Sequence, residues 1–386
     1  MEASGFQRIN IEKVSTPCYI VSGDALVENL KILRMVKQRT GCKILLATKA
    51  FSMYSTFPLI RKYLDGTCAS SLNEARLGYE EFKGEVHTFA PAFSESDFKQ
   101  ITKYSDHIVF NSMNQWNKYK SKIVKSRNLK RKKIEAGIRI NPEFSEVKVD
   151  MYNPCAPFSR MGMTVDKLEG VDLSGISGIH FHAMCQQNSD TLKHILEVVD
   201  EKFGKYIKQM KWVNFGGGHH ITRKDYDVDL LCELIINFKK KYGVEVYLEP
   251  GEAVALNTGI LVATVLDIID NKKKIAVLDT SAETHMPDVL AMPYTPMIIG
   301  AGEEGKFKYD YRLAGVTCLA GDVIGDYSFP EELKIGQKLV FLDMAIYSMV
   351  KNTTFNGINL PSIVLYKNGK LKIIKKFGYS DFKRRV

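Results

Sequence analysis

Eight short β-rich runs, most separated by a helix-like segment, constrain this chain more than any other feature. They lie at Lys43–Thr48, Thr67–Ser70, Val86–Phe89, His107–Phe110, Ile134–Asn141, Gly178–His182, Lys211–Phe215 and Val244–Leu248. They are rich in Ile, Val and Leu, as expected of strands covered on both faces. Strands alternating with helices imply right-handed parallel crossovers. Eight such units suggest a closed (β/α)8 barrel rather than an open sheet. The helix ahead of the first strand is the clearest. Over Asp24–Thr40, Leu26, Val27, Leu30, Leu33 and Val36 fall on one face. Ser22 or Asp24 can cap its start and Gly41 suits its end. Asn188–Phe203 and Tyr226–Tyr242 read as further amphipathic helices.

The pattern changes after about residue 256. Ile260–Asp270, Lys274–Asp279, Lys338–Asp343, Ser362–Lys367 and Leu371–Lys376 look like strands, and long helices are missing. Asn368-Gly369 between the last two is a strong hairpin signal. The expected organisation is a barrel over 24–256, followed by a mostly antiparallel β domain over 257–386 that the first 23 residues complete.

Composition narrows the functional classes. No apolar stretch approaches a membrane span, and the N-terminal residues lack the apolar core of a signal peptide. The expectation is a cytoplasmic protein without a membrane partner. Seven cysteines are scattered with no CxxC and no paired spacing. That argues against a disulfide framework or a metal site. The net charge of +10 raises nucleic acid as a partner, with the densest basic run at Lys118–Lys133. No aromatic platform or nucleic-acid motif accompanies the run, so it reads as a solvated helix face and loop.

Barrel function gathers at the C-terminal ends of the strands. Lys49 stands just beyond the first buried strand, where partly desolvated surroundings would favour Schiff-base chemistry. An ordinary surface lysine is the alternative. His180 and His182 alternate to one side at another strand end, with Cys185 and Gln186 following. Gly216-Gly217-Gly218 follows the seventh strand, and its N–H groups could crowd around an anion. Glu249, in Glu249-Pro-Gly251-Glu252, ends the last strand and could face a pyridine nitrogen or be a buried structural acid.

Taken together, the order of these motifs resembles the fold-type III (alanine racemase-like) pyridoxal 5′-phosphate (PLP) decarboxylases. The resemblance runs through Lys49, Ala69-Ser-Ser-Leu-Asn-Glu74, Gly178-Ile-His-Phe-His182, Gly216-Gly-Gly218, Glu249-Pro-Gly251, Gly315-Val-Thr-Cys318 and Thr354-Phe-Asn-Gly357. Within that group the chain is most similar to the carboxynorspermidine/carboxyspermidine decarboxylases, through Thr16-Pro17-x-Tyr19, Phe181-His-Ala-x-Cys185, Phe215-Gly-Gly-Gly-His219 and Cys318-Leu-Ala-Gly-Asp322. The resemblance implies that Lys49 holds PLP, His182 stacks on its ring and Glu249 pairs with its nitrogen. Gly216, Gly217, Gly218, Gly251 and Tyr347 would surround its phosphate. Cys318 would enter the partner subunit's site in a homodimer and supply a proton after CO₂ leaves. Arg139 and Arg160 occupy positions where the family has basic residues near the site.

One position departs from the wider family. Ornithine and diaminopimelate decarboxylases usually have arginine after Glu-Pro-Gly, and here Glu252 stands there. Either the phosphate leans on backbone N–H groups instead, or Glu252 turns to the substrate. A carboxylated polyamine, whose amines are cationic, suits the second. Asp288, in Asp279-Thr-Ser-Ala-Glu-Thr-His-Met-Pro-Asp288, is the expected second acid at the polyamine tail. The rival readings are another fold-type III decarboxylase, a racemase, or a PLP-carrying regulatory protein without catalysis.

Overall fold

The computed structural model describes residues 5–130 and 132–386. Residues 1–4 of the N-terminal stretch and Arg131 of the basic run lie outside the described residues. The chain divides into two compact units, Asn29–Val254 and the combination of Met1–Glu28 with Ala255–Val386.

The first strand, β1 (Cys18–Ser22), belongs to the second of these units. The barrel strands follow as β2 (Lys43–Ala47), β3 (Gly66–Ala69), β4 (Glu85–Phe89), β5 (His107–Phe110), β6 (Glu135–Arg139), β7 (Gly178–His180), β8 (Trp212–Asn214) and β9 (Glu245–Leu248). Neighbours pair in parallel, and β2 pairs β9 through Lys43↔Tyr247, which closes the barrel. All eight anticipated strands form. The strand carrying the histidines stops at His180, so His182 lies on the loop beyond it. The helix Gly23–Thr40 is capped by Ser22, whose Oγ accepts from Ala25 N at 3.2 Å. It ends at Gly41, where φ is +62° and the backbone turns left-handed.

Leu45, Val109, Trp212 and Tyr247 pack inside the barrel. Trp212 lies across the interior against β6 and β7. A Cβ on Gly178 would sit 2.0 Å from its ring, and one on Gly137 would sit 2.4 Å away. These two glycines are therefore the room into which the indole fits.

A polar network closes the N-terminal end. Lys43 Nζ donates to Glu85 Oε1 at 2.7 Å and to the Tyr247 hydroxyl at 3.1 Å. The His87 and His107 rings stack at 3.9 Å. Burial opposes the Glu85 charge, but hydrogen bonds from His87 and Lys43 hold its carboxyl well below the usual range. Glu85, His87 and His107 bring metal-ligating atoms within 4.8 Å of one another. The Lys43 ammonium already sits against Glu85, however. The two rings are also only 11° from parallel, so both cannot direct a lone pair in plane at one ion.

Several lysines of the basic run are engaged. Lys122 pairs with Glu95 at 2.6 Å, and Lys130 reaches Asp106 at 2.7 Å and the Gly84 carbonyl at 2.6 Å. No helix among the described residues is long and apolar enough to cross a membrane.

The other unit is built on a nine-stranded sheet among the described residues. Its remaining strands are β10 (Gly259–Asp270), β11 (Lys274–Leu278), β12 (Gly302–Glu303), β13 (Tyr309–Ala314), β14 (Val323–Phe329), β15 (Lys338–Leu342), β16 (Ser362–Lys367) and β17 (Lys370–Lys375). Pairing is mostly antiparallel, with β1–β16 and β11–β13 parallel. The strand β1 lies in the middle, between β10 and β16. The sheet packs Tyr19, Leu261, Val265, Tyr311, Leu313 and Phe341 into its larger core. Three strands, β12, β13 and β14, are additional to those expected from the sequence.

Candidate active site

The parallel barrel delivers its strand ends to one rim, and the chemically suggestive residues of the Asn29–Val254 unit collect there. Lys49 stands on the turn after β2 with Thr48 and Ala50 buried beside it. Its side chain is exposed, in contrast to the partly desolvated setting expected from the sequence. The turn itself is fixed: Thr48 Oγ1 donates to the Cys68 carbonyl at 2.9 Å, and Ala47 N donates to the Pro250 carbonyl at 3.1 Å.

Glu249 is the most tightly specified acid. Its Oε1 accepts from Asn214 Nδ2 at 2.8 Å, and its Oε2 lies 3.2 Å from His180 Nε2. Burial alone would push the carboxyl up. The pull of His180 and hydrogen bonds from His180 and Asn214 outweigh it and hold the carboxyl at about 2. Burial lowers the His180 pKa as well. At neutral pH the pair is therefore a carboxylate facing a neutral imidazole that donates its Nε2–H. Sequence reasoning gave no role to His180 or Asn214.

His182 sits half-buried on the loop after β7. Its Nδ1 lies 2.9 Å from Gly217 N and 3.0 Å from Gly217 O, which ties the ring to the glycine run. Burial, followed by the charge of Lys49, keeps it well below the ordinary histidine range. The neutral ring is thus an aromatic plate beside a cation. Arg139, at the end of β6, is buried, donates through Nη2 to the His182 carbonyl at 3.2 Å and stands 4.7 Å over the Phe89 ring. Burial brings its pKa down to about 10. Its Nε has no hydrogen-bond partner among the described residues. Arg160 gives its carbonyl to Asn111 Nδ2 at 2.7 Å.

The glycine run is built for close approach. Gly216 and Gly218 have φ of +71° and +88°, and a Cβ on Gly218 would lie 2.1 Å from the Met184 carbonyl oxygen. Not all three amides face outward as the sequence suggested. Gly216 N donates to Asn214 Oδ1 at 2.8 Å and Gly217 N to His182 Nδ1, which leaves Gly218 N without a protein acceptor among the described residues. A Cβ on Gly251 would lie 2.6 Å from that of Ala50, so the Glu-Pro-Gly loop packs directly on the lysine turn. Glu252 follows, half-buried, its Oε1 accepting from Gln186 Nε2 at 2.9 Å and its Oε2 lying 3.3 Å from His220 Nε2.

The remaining expected residues belong to the sheet-bearing unit. Cys318 is exposed, with its N–H donating to Asn356 Oδ1 at 2.7 Å. Its loop is organised by buried Asp322, whose Oδ2 accepts from Thr317 Oγ1 at 2.6 Å and whose Oδ1 accepts from Ala282 N at 2.8 Å. Tyr347 is half-buried on a left-handed turn with φ of +53°. Asp288 is ion-paired with Lys351. Its charge is already answered, which an isolated tail-reading acid would not show.

Two buried histidines give the protein an acid-sensitive stability. Burial lowers both His219 and His285 to about 4. In the unfolded chain they protonate near the ordinary value of about 6.5. Below that pH the unfolded state binds more protons, so stability falls as pH drops from about 6.5 to about 4, by roughly 3 kcal/mol per histidine. The urea midpoint should decline across this window, and replacing His219 with Phe should flatten the decline. A midpoint constant from pH 7 to 4.5 would contradict the assignment.

Comparison with known proteins agrees with this geometry. A family model described as pyridoxal-dependent decarboxylase, C-terminal sheet domain, matches residues 18–345. A carboxynorspermidine/carboxyspermidine decarboxylase of Campylobacter jejuni is 48% identical over 97% of this chain and 99% of that protein. A carboxyaminopropylagmatine decarboxylase of Synechocystis is 40% identical over 97% of this chain and 96% of its own length. The crystal structure of carboxynorspermidine decarboxylase from C. jejuni, complexed with norspermidine, superposes with a TM-score of 0.89. It is 46% identical and covers 97% of this chain and 100% of that one.

Proposed function

The chain belongs to the pyridoxal-dependent decarboxylase family, and from that membership we propose that it decarboxylates carboxynorspermidine and carboxyspermidine, releasing norspermidine and spermidine. The observation that carries the substrate reading is Glu252, a half-buried carboxylate at the barrel rim directly after Glu-Pro-Gly. A carboxylate there suits a cationic amine and opposes the second carboxylate of diaminopimelate.

The rim fits the cofactor. A Cβ on Gly217 or Gly218 would lie 2.6 or 2.1 Å from a backbone carbonyl oxygen, so nothing larger than glycine leaves this cradle open. Glu249 is a half-buried, ionised acid held by the side chains of His180 and Asn214. When bound, PLP supplies the electron sink for the pair left behind as the substrate carboxylate departs as CO₂. Lys49 is the residue that would hold it, and His182 offers its neutral ring as a stacking face. Glu249 would pair with the cofactor's ring nitrogen, where its charge favours the protonated form. Gly218 and Gly251 contribute backbone to the phosphate, with Gly216 and Gly217 shaping the turn and Tyr347 completing the set. Glu252 orients an amine of the substrate, and Asp288 answers a second amine once Lys351 gives way. Cys318, delivered from the partner of a homodimer, returns a proton to the carbon that lost CO₂. The scattered unpaired cysteines favour a reducing, cytoplasmic setting.

The test is CO₂ release by the PLP-loaded protein. Carboxynorspermidine, carboxyspermidine, carboxyaminopropylagmatine, ornithine, arginine and meso-diaminopimelate would be offered side by side. Turnover confined to the two carboxylated triamines supports the reading. Preference for carboxyaminopropylagmatine would move the substrate to the one named for the Synechocystis relative. Turnover of diaminopimelate or ornithine would overturn the role of Glu252. Replacing Glu252 with Arg should raise the KM for the triamines by about 10- to 100-fold, the scale of a charge-assisted hydrogen bond. Cofactor absorbance should persist, and unchanged kinetics would remove Glu252 from the substrate site.

A further inference from the structure

Glu252 poses a problem that the rim has to solve. A carboxylate within electrostatic reach of the cofactor lysine could pair with it and be lost to the substrate. The Cys185 thiol senses both groups: burial pushes it up to about 11, the Glu252 charge adds to this and the Lys49 charge opposes it. Yet no ion pair joins Lys49 and Glu252 among the described residues.

Two side chains account for where Glu252 points. Gln186, on the loop after β7, donates from Nε2 to Oε1 at 2.9 Å. His220, on the loop after β8, stands with Nε2 3.3 Å from Oε2. His220 is only 8% exposed, and neither of its ring nitrogens has a hydrogen-bond partner among the described residues, although Nε2 lies against the carboxylate. A buried imidazole with so little else to bind is costly unless its one polar neighbour matters. The two loops are laced together, as Gln187 N donates to Gly218 O at 3.0 Å and His220 N to Gln187 O at 3.3 Å. Gln186 itself is held with φ of +56°, its carbonyl accepting from Arg223 Nη1 at 3.2 Å. Three successive rim loops, after β7, β8 and β9, therefore converge on one carboxylate.

We propose that Gln186 and His220 are positioning residues that hold Glu252 away from Lys49 and aim it at a cationic amine of the substrate. Gln186 donates to one carboxylate oxygen, and the His220 ring lies against the other. Lone pairs remain on both oxygens for an ammonium or secondary amine. This rests on the reading of Glu252 as a substrate residue.

The experiment compares steady-state kinetics on carboxynorspermidine for the PLP-loaded variants Gln186→Leu, His220→Phe, His220→Gln and Glu252→Gln. Cofactor absorbance is recorded for each. The expected result is a KM raised about tenfold in Gln186→Leu and His220→Phe, with kcat within about twofold of the parent and absorbance unchanged. His220→Gln, whose amide nitrogen can reach the same oxygen, should return KM most of the way. A KM unchanged in Gln186→Leu and His220→Phe but raised in Glu252→Gln overturns the positioning role and leaves the substrate reading intact. A KM unchanged in Glu252→Gln overturns both. Gln186 is exposed, so its variant tests the idea even if His220→Phe does not fold.

Discussion

Replacing Lys49 with Ala is expected to abolish the visible absorbance of bound cofactor and to lower turnover by about 10³-fold or more, the scale on which single reacting groups act. The scaffold should survive. The turn that carries Lys49 is held by Thr48 on the Cys68 carbonyl, by Ala50 N on the Ala47 carbonyl at 3.1 Å and by buried Phe51, none of which needs the lysine side chain. An exposed side chain of this kind contributes within about 0.5 kcal/mol to stability. Loss of absorbance with an unchanged melting temperature would thus separate the chemical role from a structural one. Retention of both absorbance and turnover would sink the assignment.

Glu249→Gln should be the next most damaging change. The amide keeps an acceptor for Asn214 but presents N–H groups where the carboxylate received the His180 proton. His180 can accommodate this by moving its proton to Nδ1, which has no partner at present among the described residues. The fold therefore tolerates the variant while the negative charge disappears. Removal of one preorganised electrostatic partner typically costs about 10²- to 10³-fold in kcat. The expected readout is a bound cofactor with altered absorbance and a kcat reduced by that factor. A kcat within threefold of the parent would show that the charge is not needed opposite the ring.

The barrel strands were legible because each is a short apolar run between helices, and closure into a ring follows once eight are counted. The strands β13 and β14 were not. Tyr311 and Leu313 do alternate with Asp310 and Arg312, but this period was obscured by its charges. Gly325-Asp326 inside β14 reads as a turn. The structure explains that interruption, since Arg312 grips Asp326 across the pair through bonds of 2.9 and 2.8 Å. At the site, motif order exposed the lysine, the glycines and the last-strand acid. It could not expose the His180–Glu249–Asn214 cluster, because partners 69 and 35 positions apart meet only when the barrel closes. Nor could it reveal that Gly216 and Gly217 spend their amides on protein acceptors. That depends on the side-chain directions of Asn214 and His182, which no sequence pattern encodes.

The placement of β1 bears on how the chain is made. Cys18–Ser22 leaves the ribosome long before its hydrogen-bonding neighbours, Gly259–Val262 and Ser362–Tyr366. At about 5–20 residues per second, tens of seconds of synthesis separate the strand from either neighbour. During that interval an apolar segment with unmatched backbone groups must wait while the barrel, whose contacts are all encoded within the intervening stretch, can already assemble. The late sheet then closes around its earliest-made strand. Its assembly is governed by the arrival of the C-terminal segment rather than by local propensity, the regime in which distant pairings make folding slow.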